Sequence, residues 1–510
     1  MSDTNFREIP YNYTSADDEK IFTLILGEEA WLRLGNLRTQ RVTGRSAKLL
    51  MRFIGDLFIL YRNPFLFQDL LDSGKKQREF LKGLSLDLNI VINKAGGNAD
   101  VLIIIEKCRT ASRAFEEKLV FVTSMREKLR HHLSGIVGRE NIFFDPLSLI
   151  SHATDATDWR LHLPLAVIRP TDESQVPSLL AALNELKLGV IPRGAGTGLT
   201  GGAVPVREHA VMVNLEKLNR IRGISEVSAR LENGAVRDMP VLELEAGAIT
   251  GDAMQYAKTH GLVFATDPTS SWACTIGGNI AENAGGKTAV LWGTAIDNIF
   301  SFCMAAPEGK FLEIQRVDHP WRKILPEDEV IFEVNDQNGG TLETIHLKGS
   351  EIRKNGLWKD ITNKHLNGVP GLQKEGTDGI ITSARFVLHK AYEQKKTCCL
   401  EFFGESFDEA GRVIMEISKE FINQGEEALY ALEHFDEEYV RAINYKIKAA
   451  KRETPKAVLL IDIVAHTPEQ ADRGMERLKQ LLADYKNTFI FIARDEEDAD
   501  RYWQDRKRLG

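Results

Sequence analysis

The sequence predicts an α+β protein in three parts: a mainly helical first part, a central α/β part organised on a glycine-rich loop, and a final part of ferredoxin-like α+β type. Three observations carry this reading. Apolar residues recur at helical spacing through the first 134 residues. The stretch PRGAGTGLTGGAVP, Pro192 to Pro205, stands between two strand-like runs. From Lys396 onward, strand-like runs alternate with capped helical ones.

Length and composition bound the answer. A chain of 510 residues suggests two to four domains at roughly 150 residues each. The boundaries fall at 1–134, 135–392 and 393–510. A hydrophobic content of 43% builds ordinary cores, and a net charge of −8 argues against a general nucleic-acid binder. No run reaches the roughly 18 apolar residues of a membrane span. The N-terminus is polar and lacks a signal-peptide pattern. The five cysteines, Cys108, Cys274, Cys303, Cys398 and Cys399, form no C-x-x-C pair, so neither a zinc ribbon nor an iron–sulfur motif is supported. They read as reduced thiols of a cytoplasmic protein. Cys398 and Cys399 face opposite ways if they share a strand.

In the first part, Ser15 with Asp18 suggests an N-cap and acidic first turn before Ile21, Leu24 and Ile25. Leu49, Leu50, Phe53, Ile54, Leu57 and Phe58 repeat at helical spacing, and Pro64 ends that helix. Phe115, Leu119, Val122, Met125, Leu129 and Leu133 mark another amphipathic helix, stopped by Gly135. His131-His132 has no partnering Cys or carboxylate motif and reads as a solvated helix end.

The second part begins near Ile136. Leu165 to Ile168 reads as a strand, and Thr171 to Gln175 offers the start of a helix with Leu179, Leu180, Leu183 and Leu186 on its apolar face. Gly189-Val190-Ile191 begins the next strand and delivers the chain into the glycine loop. Further strands are expected at Val211–Leu215, Val241–Ala246 and Leu262–Ala265.

Gly194, Gly196, Gly198, Gly201 and Gly202 put five glycines into nine residues. Glycine accepts positive φ and lets the backbone approach a ligand, and successive N–H groups then form a nest for an anion. The inferred ligand is the pyrophosphate of a dinucleotide. Gly196 to Gly201 spells G-x-G-x-x-G, but that fingerprint needs a helix directly after it, and here Pro205 leads into a strand-like run. A phosphate loop of the Walker kind needs G-K-[ST], and Gly201-Gly202-Ala203 lacks the lysine. A flexible surface loop is the bland alternative.

A second glycine-rich block follows: Asp267-Pro268-Thr269-Ser270-Ser271, then Thr275 to Gly286. Its hydroxyls, carboxamides and glycines suit hydrogen bonding to phosphate, ribose and a heterocycle. Gly376-Thr377-Asp378-Gly379-Ile380-Ile381-Thr382 is a third such element. In the final part, Ser406 to Glu409 and Thr467 to Gln470 read as capping boxes, with strands at Cys399–Phe403, Ala457–Val464 and Asn487–Ala493.

Thr154 to Thr157, Pro192 to Pro205, Asp267 to Gly286, Trp292-Gly293 with Asp297, and Glu375 to Thr382 together resemble the FAD-linked oxidase family, of vanillyl-alcohol oxidase type, and within it the D-2-hydroxyacid dehydrogenases. The resemblance implies a two-subdomain FAD-binding domain, a helical N-terminal domain and a partial ferredoxin-like substrate cap. It implies FAD contacts at Arg193, Gly194, Ala195, Gly196, Thr197, Gly198, Gly201 and Gly202 in the first loop. In the second block the implied contacts are Asp267, Pro268, Ser270, Thr275, Gly277, Gly278, Asn279, Asn283 and Gly285. In the third they are Gly376, Asp378, Ile380 and Ile381. Gln373-Lys374-Glu375-Gly376 departs from the Gly-Ser-Glu-Gly of many relatives. No histidine lies in the first two elements, so the FAD is expected to be non-covalent, and His209 reads as a solvated turn residue.

Arg7 to Thr14 is similar to a domain of unknown function found ahead of this oxidase unit in long bacterial proteins with iron–sulfur modules. That likeness implies an iron–sulfur electron acceptor. The resemblance also points to Trp503-Gln504-Asp505-Arg506, whose arginine would grip a substrate carboxylate as the catalytic-site residue. A solvated basic helix end, continuing into Lys507 and Arg508, is the other reading. Relatives continue into a Gly-His-x-Gly-Asp-Gly-Asn-x-His segment that binds a divalent metal, absent here. The chain is therefore expected to be a C-terminally truncated piece that holds FAD without turning over a hydroxy acid, with metal and clusters only in the missing part. The implied activity is FAD-dependent oxidation of a D-2-hydroxy acid such as lactate, glycolate or 2-hydroxyglutarate. Electrons would pass to an iron–sulfur, quinone or cytochrome acceptor. A redox-neutral FAD enzyme of the ether-lipid synthase type, or an FAD-binding module inactive without other domains, are the alternatives.

Overall fold

The computed structural model describes residues 17–39, 45–230, 236–353, 363–421 and 426–508. They fall into two units. One comprises residues 1–169, 185–191 and 203–213, and the other 170–184, 192–202 and 214–510.

The first unit begins with helices α1 (Asp18–Leu26), α2 (Glu28–Thr39), α3 (Arg45–Arg62), α4 (Pro64–Asp72), α5 (Gly74–Lys94) and α6 (Ala99–Val137). Residues three and four apart share a helix face, so Phe53, Ile54 and Leu57 of α3 meet Phe115 and Leu119 of α6 in one core, all fully buried. Phe115 receives the rings of Tyr61, Phe67 and Phe80 at 5.5, 6.1 and 5.7 Å, separations at which aromatic pairs gain beyond their burial. Polar side chains start these helices. Asn63 caps α4, with Pro64 in its first turn, while Ser73 and Asn98 cap α5 and α6.

The predicted stop at Gly135 is corrected. A glycine inside a helix costs only about 1 kcal/mol against alanine, and the apolar face continues through buried Leu133 and Val137. The helix ends instead before Gly138, whose φ of 81° lets the chain turn away. Ser15 and the Arg7 to Thr14 stretch lie outside the described residues.

Four short strands follow: β1 (Ile142–Phe143), β2 (Ala166–Ile168), β3 (Val190–Arg193) and β4 (Val211–Asn214), in the order β1-β2-β4-β3. β1 runs antiparallel to β2, and β2 parallel to β4. His209 is not a solvated turn residue. With φ at 68°, it lays its ring 4.4 Å from that of Phe121, in a cavity of about 490 Å³ whose lining includes Leu24, Tyr61, Lys118 and Glu208.

The second unit holds the expected helix, Gln175–Glu185. The Gln175 side chain accepts from the N–H groups of Thr171 and Asp172 at 2.8 and 3.3 Å, which places its start where the polar run predicted. Among the described residues an antiparallel sheet is built from β5 (Ile221–Arg230), β6 (Val236–Glu245), β8 (Ile299–Ala305), β9 (Phe311–Val317), β10 (Glu329–Asp336), β11 (Thr341–Lys348) and β12 (Ile380–Val387). Its order is β11-β10-β9-β8-β12-β6-β5. The strand expected at Leu262–Ala265 is shorter: β7 (Leu262–Val263) pairs with β13 (His389–Lys390).

The final part of this unit consists of β14 (Gln394–Phe402), β15 (Ala428–Asp436), β16 (Ala457–Ala465) and β17 (Thr488–Ile492), in the order β15-β16-β14-β17. With helices Asp408–Phe421 and Pro468–Leu482, this is the βαββαβ arrangement of ferredoxin-like folds. Adjacent Cys398 and Cys399 point into the hydrophobic clusters on opposite faces of β14. Thr467 and Gln470 make the predicted capping box. Ser406 and Glu409 do not: Ser406 bonds Asp408, while Glu409 accepts from Thr488 at 2.6 Å.

Candidate functional site

Within the second unit the three glycine elements, far apart in sequence, meet. The loop Pro192–Gly202 lies against the second block: a β-carbon on Gly194 would fall 2.2 Å from Thr275 Oγ1, and one on Gly198 would fall 3.3 Å from Glu282 Oε1. The loop also meets the third element, where Thr200 donates to Glu375 at 3.1 Å and a β-carbon on Gly202 would reach Glu375. The second and third elements are tied by their backbones, with Gln373 and Glu375 N–H donating to the carbonyls of Ile280 and Ala281 at 3.1 and 2.9 Å.

The loop is shaped for an anion. Gly196 and Gly201 have φ of 71° and 82°, where a side chain is strained. Arg193 is buried, and its guanidinium lies where a β-carbon on Gly196 would go. Among the described residues, no backbone N–H from Gly194 to Gly202, including those of Ala195 and Thr197, donates to a backbone carbonyl. Only Gly201 of these residues is buried, so the row of donors stands open to a ligand and suits the pyrophosphate of a dinucleotide such as FAD.

The second block is packed to the limit that glycine allows. A β-carbon on Gly277 would stand 2.9 Å from that of Ala246, one on Gly285 2.8 Å from Thr294, and one on Gly286 1.9 Å from the Asp267 carbonyl oxygen. Thr275 caps helix Ile276–Ala281 by accepting from Gly278 N–H. Pro268 and Ser270 offer their carbonyls to the turn that follows. Buried Asn279 donates to Thr250 at 2.8 Å. Asn283 accepts from Ile296 N–H at 2.9 Å and donates to Gln373 at 3.0 Å. These two carboxamides hold the block together.

In the third element a β-carbon on Gly376, at φ 73°, would come 3.0 Å from the Pro192 ring. Asp378 accepts from Gly371 N–H at 2.9 Å, and among the described residues its other oxygen is buried without a partner. Ile380 and Ile381 open β12, paired with Ala305 and Met304. Behind the block, Asp297 takes two 2.8 Å bonds from Arg353 and the N–H groups of Thr294 and Ile324. Burial would raise the Asp297 carboxyl, but Arg353 and these donors bring it below its ordinary value.

Charged groups gather where the second block meets the final part of the chain. Asp267 is buried, accepts from Thr288 N–H and Oγ1 at 3.3 and 2.8 Å, and is pushed up to about 6 by its desolvation. Lys287, directly after Gly285-Gly286, sets its ammonium 4.5 Å over the Trp503 ring. Burial pulls Lys287 below the ordinary lysine value, with Asp462 and Asp267 opposing and Lys395 and Arg506 adding to the shift. Trp503 donates its indole N–H to buried Asp462 at 3.0 Å, beside Thr397 at 2.6 Å. Arg506 lies in the short turn Asp505–Lys507, its side chain only 15% exposed and 3.1 Å from Glu433. That is not a solvated helix end.

Sequence reading located the glycine elements and Arg506 but missed Lys287, Glu433 and Asp462. A lysine immediately after Gly285-Gly286 was the available signal. The two acids lie on strands β15 and β16, where no local pattern singles them out.

Three stretches match known families: residues 4–117 a protein of unknown function (DUF3683), residues 164–315 an FAD binding domain, and residues 395–510 the C-terminal domain of FAD linked oxidases. The chain is 27% identical over 389 residues to glycolate oxidase subunit GlcD of Escherichia coli K12, covering 76% of this chain and 64% of that protein. It is 34% identical over 151 residues to D-lactate dehydrogenase of Anaerostipes hadrus, covering 30% and 29%. It thus spans just under two thirds of the length of the glycolate oxidase subunit. Among solved structures, an alkyldihydroxyacetonephosphate synthase is similar with a TM-score of 0.51 and 18% identity, over 74% of this chain and 63% of that one. That is a likeness of fold.

Proposed function

From a chain that belongs to the FAD-linked oxidases, with their FAD binding domain and C-terminal domain behind a DUF3683 segment, we propose an FAD-dependent oxidoreductase that takes a D-2-hydroxy acid of the lactate, glycolate or 2-hydroxyglutarate class to the 2-oxo acid. Electrons would pass on to an iron–sulfur, quinone or cytochrome acceptor. The observation that carries the reading is the cationic group formed by Arg506 and Lys287 beside the second glycine block, next to Asp267. The names of the relatives, a glycolate oxidase subunit and a D-lactate dehydrogenase, agree in substrate chemistry.

When bound, FAD supplies the hydride acceptor. The roles of the residues follow from their chemistry. The N–H row from Gly194 to Gly202 would hold the pyrophosphate, and the second and third elements would bound the rest of the cofactor. The Arg506 guanidinium donates in a fork that matches a carboxylate, with Glu433 as its resting partner. Asp267 is the carboxyl of the group that changes charge nearest neutrality, so it sets the local potential as pH varies. Five free thiols accord with a reducing compartment, and we place the protein in the cytoplasm. Among the described residues no helix is long and apolar enough to cross a membrane.

The test is anaerobic mixing of the FAD-loaded chain with D-lactate, glycolate and D-2-hydroxyglutarate. Bleaching of flavin absorbance by any of them supports the proposal. No bleaching by any acid, even in the full-length protein, would favour a redox-neutral FAD enzyme or a binding module.

A further inference from the structure

We propose that Lys287 contacts the substrate: its ammonium, together with Arg506, takes the carboxylate of the hydroxy acid. The identity of the substrate rests on the reading above, and the residue rests on geometry. The close approach of Gly286 to Asp267 fixes the backbone from which Lys287 departs. Its side chain crosses to Trp503, three residues before Arg506, and the ammonium stops over the ring at 4.5 Å.

Among the described residues, Lys287 Nζ reaches no hydrogen-bond acceptor and no carboxylate oxygen. Each neighbouring acid has one oxygen engaged, and Asp462 Oδ2 is buried without a hydrogen-bond partner among the described residues. Asp462 Oδ1 accepts from Trp503 and Thr397. Asp267 accepts from Thr288. Glu433 stands beside Arg506. Lys287 is thus a partly buried cation resting on an aromatic face. A cation over a ring is held more weakly than one donating to an anion, and a desolvated ammonium without an acceptor is costly. An arriving carboxylate gives Lys287 its missing oxygen, with the Arg506 fork close by.

The experiment titrates the FAD-loaded full chain with oxalate, an inert carboxylate, by calorimetry, and measures KM and kcat with whichever hydroxy acid bleaches the flavin. Lys287→Met is expected to weaken oxalate binding and raise KM by about 10- to 100-fold, the worth of one charge-assisted hydrogen bond. Its kcat, FAD content and unfolding midpoint should stay near those of the parent. Lys287→Arg should recover most of the binding. Equal oxalate affinity in parent and Lys287→Met would overturn the proposal, as would an absence of oxalate binding in the parent. A loss that Lys287→Arg does not rescue and that lowers the unfolding midpoint would mark the residue as structural. The two readings fail separately. No bleaching by any acid, even in the full-length protein, sinks the hydroxy-acid function, while Lys287-dependent oxalate binding would still assign the anion contact.

Discussion

Replacing Gly286 with alanine tests the architecture of the second block. The added β-carbon would stand 1.9 Å from the Asp267 carbonyl oxygen and 2.2 Å from its Oδ1, where ordinary contact begins at 3.4 Å. Both obstacles belong to one tightly placed residue, so the backbone has to move by more than an ångström. Overpacking of this kind costs about 1–3 kcal/mol. The same movement pulls Asp267 from Thr288, whose two bonds at 2.8 and 3.3 Å contribute about 1 kcal/mol each. The expected loss is therefore about 3–5 kcal/mol, with FAD content falling in step. Gly83→Ala is the control. Gly83 lies on the exposed face of α5 with nothing within 4 Å of its would-be β-carbon, so alanine should stabilise by about 0.5–1 kcal/mol. Urea unfolding of both variants, with flavin quantified before and after desalting, gives the answer. A Gly286→Ala protein within about 0.5 kcal/mol of its parent, fully loaded with FAD, would refute the close approach.

Three further outcomes are expected. Gly201→Val puts a β-branched residue at a φ of 82° and should abolish FAD binding while helical circular dichroism persists; stoichiometric FAD in this variant would remove the loop from the site. Acid precipitation should release yellow FAD into the supernatant, and flavin left in the pellet would disprove the non-covalent link. Asp267 is raised in the folded chain to about 6, so its contribution to stability is full below its unfolded value and is lost as pH rises through about 6. Between pH 5 and pH 8 the parent should thus lose about 1 kcal/mol relative to Asp267→Asn, measured by denaturant unfolding at both pH values. Parallel pH profiles would contradict that shift.

Glycine made much of this unit legible. The chemistry of Gly194, Gly196, Gly201 and Gly286 is local, because each marks a place where the backbone turns left or passes close to a neighbour, and sequence reports that directly. Capping at Thr467 and helical periodicity in α3 and α6 were legible for the same reason. Gly135 misled because its cost is small beside the apolar face that continues past it. The partnerships of Arg506 with Glu433, and of Lys287 with Trp503, join residues 73 and 216 positions apart. They depend on strand order and on how a helix end meets a loop, and neither leaves a trace in local composition. His209 reads as solvated from sequence because a cavity wall made by helices is invisible from the turn that completes it.

The bond from Thr200 to Glu375 spans 175 residues, and this has a consequence for how the protein is made. Synthesis proceeds at about 5–20 residues per second, so the first loop leaves the ribosome roughly ten to thirty seconds before the segment that closes against it. Throughout that interval the loop has its row of amide donors but lacks its third wall. Newly made chains should therefore acquire the cofactor late, in a step sensitive to the supply of free flavin. Starving cells of riboflavin should leave nascent chains waiting in an open, protease-sensitive form, while the helices of the first unit, whose contacts are more local, are already folded.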